Sequence, residues 1–181
     1  MPGDLPRSAD GARAGKVRGV RPFALAEHLL IPCQPIDEYI SDDRCGWAAV
    51  HLTGKGREEF SAVTVYRGTR KRILYNGRNS PAGRRSDVAH ELSHVLLEHE
   101  PGPVRGKEES RTWDPDQESE ASWLGGVLLV RDHVALRVAR LGMPVAEAAT
   151  SYGVSVSLME WRLNASGARK RVMWEKAAQG R

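Results

Sequence analysis

Ser86-Asp87-Val88-Ala89-His90-Glu91-Leu92-Ser93-His94-Val95-Leu96-Leu97-Glu98 is the stretch whose reading decides this chain. It contains His-Glu-x-x-His at positions 90–94. On a helix, residues four apart stand one turn above each other on the same face. His90 and His94 can therefore offer two imidazole nitrogens to one metal ion, with Glu91 in reach of a water bound to it. Zinc accepts imidazole and carboxylate ligands, and a catalytic zinc keeps one position open for water. The pattern points to a zinc hydrolase with Glu91 as general base.

Chance explains the match poorly. With 6 His in 181 residues, an accidental occurrence has a probability of roughly 0.015. The flanking residues also fit a helix. At about 100° per residue, Val88, Ala89, Leu92, Val95 and Leu96 fall on one side, and His90, Glu91, His94 and Leu97 on the other. Such a helix packs on a core through one face and lines a cleft with the opposite one. Ser86 is the expected N-cap, and Asp87 suits the first turn.

Upstream, Phe60 to Tyr66 and Arg72 to Tyr75 read as strands separated by a break at Gly68, with Asn76-Gly77 as the closing turn. Trp47 to Leu52 alternates weakly and reads as a further strand, followed by a turn at Lys55 to Glu59. These pieces predict a short antiparallel sheet. Arg72–Tyr75 is the expected edge strand beside the metal helix, to which an extended peptide can add. Asn79 to Arg85 reads as a polar loop leading into the motif helix. Farther upstream, Pro22 to Ile31 has helical spacing and is stopped by Pro32, and Pro35 to Tyr39 begins a short helical turn.

Downstream, Pro101 to Asp116 is a long polar loop. Glu118 to Val130 reads as a second helix with a strong apolar face, whose Gly125 and Gly126 can permit close approach to the motif helix. Helices over Arg131–Leu141, Pro144–Thr150 and Val156–Leu163 follow.

Two histidines and a water leave one protein ligand to find. A metzincin would place a third histidine six residues after His94 and a glycine three after it. Those positions hold Glu100 and Leu97, which excludes that class. His99 follows too closely on the same helix to converge easily. The second helix offers Glu118 and Glu120. Glu118 lies on the stripe marked by Ala121, Gly125, Leu128 and Leu129, and Glu120 lies well off it. A carboxylate on an apolar face needs a partner. Glu118 is therefore the expected third ligand, with Glu120 as the alternative.

Composition excludes other classes. No run of about 18 apolar residues predicts a membrane span, and the N-terminus has no apolar signal core. Cys33 and Cys45 lack C-x-x-C spacing and read as reduced thiols of a cytoplasmic protein. The net charge of +4 is uneven: residues 1–21 carry +3, residues 161–181 carry +5, and the part between carries −4. Basic ends can touch nucleic acid, though most are merely solvated.

His90-Glu-Leu-Ser-His94-Val-Leu-Leu, followed by Glu118-x-Glu-Ala-x-Trp-Leu-Gly-x-x-Leu-Leu-Val, resembles the ImmA/IrrE metallopeptidase family, the M78 or DUF955 domain. The resemblance spans roughly residues 22–165. It implies that His90, His94 and Glu118 bind zinc and that Glu91 is the general base. It also implies an intracellular protease that cuts repressors of the Xre helix-turn-helix type. Ser93 replaces the common Gly, Ser122 the common Asn/Asp, Gly125 the common Ala, and Arg131 the common Pro. Ser122 matters most, because an Asn/Asp there can hold a histidine ligand from behind.

Val145 to Met159 resembles a helix-turn-helix, with Ala149 and Gly153 at its four-residue spacing and Arg162 where a later core residue is expected. The stretch Arg162–Arg171 would then assist through phosphates. A hairpin packed on the protease domain is the plainer reading. The expected architecture is α+β, a small zincin-like domain with a short antiparallel sheet, an HExxH helix, a second glutamate-bearing helix and C-terminal helices. Its expected divisions are a disordered basic arm (1–21), the metallopeptidase domain (22–141), a helical hairpin (142–165) and a basic C-terminal tail (166–181).

Overall fold

A computed structural model describes residues 19–40, 60–100 and 114–180. The expected strand at 47–52, the turn at 55–59, Cys45, residues 1–18 of the arm and residues 101–113 of the long loop lie outside the described residues. The architecture is α+β, with a small mixed sheet and helices arranged around the motif helix. No helix of the described residues is long and apolar enough to cross a membrane.

Helix α1 (Pro22–His28) opens on Pro22, whose fixed φ suits the first turn of a helix. It ends in a turn through Leu30, after which Ile31 N–H donates to the Ala26 carbonyl. Strand β1 (Cys33–Pro35) runs directly into the short helix α2 (Ile36–Ile40). Strands β2 (Ala62–Arg67) and β3 (Arg70–Tyr75) form an antiparallel hairpin, with Gly68 in the turn at φ 60. Only glycine visits that region without strain.

The sheet order is β1-β3-β2, and β1 pairs parallel with β3 from Cys33 opposite Ile73 to Pro35 opposite Tyr75. Two expectations change here. The sheet is mixed, not purely antiparallel. Arg72–Tyr75 is also not an edge strand, because β1 covers its second side; among the described residues the edges are β1 and β2.

Asn76 then closes the sheet onto the next element. It is buried, its Nδ2 donates to the Phe60 carbonyl, and its Oδ1 accepts from Arg78 N–H. Helix α3 (Pro81–Leu96) begins five residues before the expected N-cap. Ser80 is the cap, accepting from Gly83 N–H at 3.1 Å, and Pro81 occupies the first position. Ser86 is already in the second turn.

Two cores flank α3. Val88 and Leu92 join Ala26, Ile31 and Ile73 on the sheet side. Ala89 joins a larger helical cluster that runs from Leu129 to Val172. Val95 is partly buried against the sheet-side core, whereas Leu96 is 41% exposed and leaves the expected apolar face. Ser93 is fully buried, and its hydroxyl donates to the Ala89 carbonyl at 2.8 Å, so the departure from Gly leaves no unsatisfied group.

Helix α4 (Pro115–Leu129) starts before the expected Glu118, because Asp114 caps the amides of Asp116 and Gln117 and Pro115 fills the first position. A Cβ at Gly125 would lie 3.3 Å from His90 N, so α3 and α4 meet closely there. Val20 N–H donates to the Leu128 carbonyl, which ties the end of the arm to α4.

Helices α5 (Asp132–Leu141), α6 (Val145–Tyr152), α7 (Val156–Ala165) and α8 (Ala168–Gln179) complete the chain. Arg131 precedes α5 with φ −66, the value a proline would impose, so the usual Pro is replaced without a change of backbone shape. The boundary expected after residue 141 falls inside one continuous core, since Val134 to Val138 pack with Ala148, Met159 and Leu163. Residues expected as a tail form α8, which buries Ala168 and Val172 and ties to α5 through a two-pronged Arg140–Glu175 pair.

Candidate metal centre

The exposed side of α3 carries the motif. His90 Nε2 and His94 Nε2 lie 3.0 Å apart. Glu118, from the first turn of α4, brings Oε2 to 3.2 Å from His90 Nε2 and Oε1 to 3.4 Å from His94 Nε2. One ligand atom from each of the three side chains falls within 4.8 Å of the others. Their side chains are 28%, 17% and 29% exposed respectively, so the group is held by the fold yet open to solvent.

Glu120 does not join this group. It turns to His99, whose Nε2 lies 3.1 Å from Glu120 Oε2. Nor does His99 converge on the other side chains: its Nδ1 faces His94 Nδ1 at 2.9 Å, behind the ring that faces Glu118. Ser122 does take up the position expected of an Asn/Asp. Its Oγ lies 3.5 Å from His90 Nδ1, at the outer limit of a hydrogen bond.

These contacts test whether a cation fits. His90 Nδ1 is turned to Ser122 and His94 Nδ1 to His99, so both Nε2 atoms face each other and the Glu118 carboxylate. Three acceptor-capable atoms this close suit a shared proton or a bound cation between them. A tetrahedral ion with bonds of about 2.0–2.1 Å to nitrogen separates its ligands by about 3.3–3.4 Å. The observed separations of 3.0, 3.2 and 3.4 Å are close to that spacing, with Oε2 of Glu118 nearest His90 and Oε1 nearest His94.

Glu91 stands beside the histidines and accepts a hydrogen bond from Thr64 Oγ1 of β2 at 2.6 Å. Thr64 is buried, and the sequence gives no sign of its part, since a threonine inside a strand is an ordinary residue. Behind the site, burial raises the Asp87 carboxyl above its usual range, against the opposing effects of the Asn79 hydrogen bond and of the nearby His90. A groove of about 1410 Å³ runs between Leu29–Pro32, β2, β3 and the end of α3, and none of His90, Glu91, His94 or Glu118 lines it.

An α+β domain with a histidine pair on one helix, a neighbouring glutamate and a carboxylate from the next helix is of metallopeptidase type. The chain belongs to the peptidase M78 family: residues 51–164 match the family's IrrE N-terminal-like domain. No curated protein and no solved structure matches the chain significantly.

Proposed function

We propose that the chain is a cytoplasmic zinc endopeptidase in which His90, His94 and Glu118 hold the ion and Glu91 is the general base. The observation that carries this reading is the meeting of the two Nε2 atoms and the Glu118 carboxylate beside Glu91. Zinc, when bound, acidifies a water and polarises the scissile carbonyl. Glu91 takes the proton of the attacking water and passes it to the leaving amine. Thr64 fixes one Glu91 oxygen and so limits the rotamers from which the other can act. Among the described residues β2 is an edge strand, and it carries Thr64, so an extended substrate adding there would run past Glu91.

The substrate we propose is a transcriptional repressor of the Xre helix-turn-helix type, on the strength of the family. A rival reading makes the chain a DNA-binding or partner-binding module with a degenerate peptidase domain. It draws on the tight turn between α6 and α7, where Gly153 has φ 64, and on the basic C-terminal segment. Two cations of that segment are engaged internally. Arg162 is buried on the Val130 carbonyl and Asp132, and Arg169 pairs with Glu160. The complete histidine, histidine and glutamate set favours the peptidase.

Glu91→Gln tests the mechanism. It preserves shape but cannot accept a proton, so zinc content should be unchanged while cleavage of a co-expressed candidate repressor, followed by mass, falls at least about 10²–10⁴-fold. Equal cleavage by both proteins rules the mechanism out.

A further inference from the structure

Glu98 is not a glycine, yet it has φ 57 at the end of α3. A left-handed residue there reverses the chain, and His99 N–H donates back to the His94 carbonyl at 3.0 Å. The reversal lays the His99 ring against the His94 ring, with centroids 5.0 Å apart. The His99 side chain is only 7% exposed, although its residue sits in a turn. A buried imidazole needs both nitrogens satisfied. Its Nδ1 faces His94 Nδ1 at 2.9 Å, and its Nε2 faces Glu120 Oε2 at 3.1 Å.

Resting on the metal-site reading above, we propose that His99 and Glu120 are positioning residues that lock His94 in the tautomer presenting its Nε2 lone pair to zinc. A neutral imidazole has one N–H. For Nε2 of His94 to bind a cation, its proton must sit on Nδ1. His94 Nδ1–H then donates to His99 Nδ1. The His99 proton is thereby confined to Nε2, where the Glu120 carboxylate accepts it. Every proton along Glu120–His99–His94 has an acceptor. In the reverse order His99 Nδ1–H would donate to His94, and the bare His99 Nε2 would face a carboxylate oxygen. Two lone pairs at 3.1 Å repel, so Glu120 selects the first order. The carboxylate that sequence offers as a second candidate ligand thus acts through two rings. Its effect is weaker than that of His99, because Glu120 is 65% exposed and shares its charge with water.

The test is zinc affinity of the full chain, measured by competition with a chromogenic chelator, with the melting temperature of each metal-free variant as the check on folding. Loss of a group that orients a metal ligand typically costs about 10–100-fold in affinity. His99→Ala is expected in that range, Glu120→Ala less, and Glu120→Gln close to wild type, because the amide oxygen still accepts the His99 proton. Should His99→Ala fail to fold, long-range proton–nitrogen spectra of the zinc-loaded wild type decide, since they report directly which nitrogen of His99 is protonated. A proton on His99 Nδ1, or His99→Ala binding zinc within twofold of wild type, overturns the proposal. If wild type and His90→Ala bind zinc alike, the metal-site reading itself fails and the proposal falls with it.

Discussion

Arg162→Ala is expected to cost about 2–4 kcal/mol of folding stability, and the structure shows where that comes from. Arg162 is 1% exposed, and its Nε donates to the Val130 carbonyl at 2.8 Å. Val130 is itself fully buried, so its carbonyl cannot turn to water. An orphaned buried acceptor costs about 1–3 kcal/mol. The stem of Arg162 also fills space under α4, since a Cβ at Gly126 would lie 3.2 Å from its Cδ. Alanine removes two methylenes, each worth about 0.8 kcal/mol, and leaves a cavity. Asp132, the partner of Nη2, is 68% exposed and returns to water cheaply. Relief from burying a guanidinium offsets part of the loss. Arg162→Met keeps the stem and gains the same relief, so it should cost about 1 kcal/mol. Urea unfolding of the metal-free protein, followed by circular dichroism, measures both. With a slope of about 2 kcal/mol per molar, Arg162→Ala lowers the midpoint by about 1–2 M. A loss under about 1 kcal/mol, or Arg162→Met worse than Arg162→Ala, refutes the reasoning. A phosphate-contacting Arg162 would instead leave stability unchanged and lower the salt dependence of DNA binding.

Ser122→Asn carries its oxygen one bond farther toward His90 Nδ1, now 3.5 Å away, and should tighten zinc binding by up to about tenfold in chelator competition; unchanged or weaker binding counts against the part given to Ser122. Burial pushes the Cys33 thiol from 9.0 up to about 11. Its folded-state value is raised, so the stability it contributes is complete below pH 9.0 and is lost as pH rises toward 11. Wild type should therefore lose stability relative to Cys33→Ala over that window, and parallel unfolding curves from pH 8 to 10.5 would contradict the assignment. Leu30 has φ 58 with its side chain 88% exposed, so Leu30→Gly sheds about 1–2 kcal/mol of strain against a smaller entropic cost in the unfolded chain. A net gain of about 0.5–1 kcal/mol should raise the melting temperature, and a fall would show that Leu30 packs in a way its exposure does not convey.

The motif helix and the face it presents could be read from spacing alone, because 3.6-residue periodicity depends only on residue order. The start of α3 could not be read so easily. Asn79–Arg85 looks like a loop because Pro81 and Gly83 punctuate it, yet Pro81 is at the first helical position and Gly83 supplies the amide that Ser80 caps. Strand β1 was hidden for a different reason. It is three residues long and ends in Pro35, so it shows no alternation, and its parallel pairing with β3 is a tertiary fact. That pairing alone moves β3 from edge to centre. His99 follows His94 too closely on a continuing helix to converge with it, and nothing in the sequence marks Glu98 as left-handed. Arg162 occupies an apolar position with a charged residue, and only the neighbouring Val130 carbonyl explains why it is tolerated.

Glu118 reaches the histidines because of residues outside that three-residue group. It lies three residues before Ala121 and seven before Gly125, so all three share a face of α4. Along that face the side chains shrink from Glu to Ala to Gly. Ala121 is fully buried, and Gly125 lets α4 approach the backbone of Ala89 and His90. A larger residue at 125 would push the helices apart where they are closest. The carboxylate, about 10 Å up the helix, would move with them. Asp114 sets the other end by fixing where α4 begins, which puts Glu118 in the first turn. The three-atom group on which the proposed function rests is therefore set by a helix cap at one end and a missing Cβ at the other. The common Ala at position 125 is the substitution that probes this most finely. Its Cβ would meet His90 N at 3.3 Å, tight enough that α3 must yield by a few tenths of an ångström, and that displacement is felt first at His90.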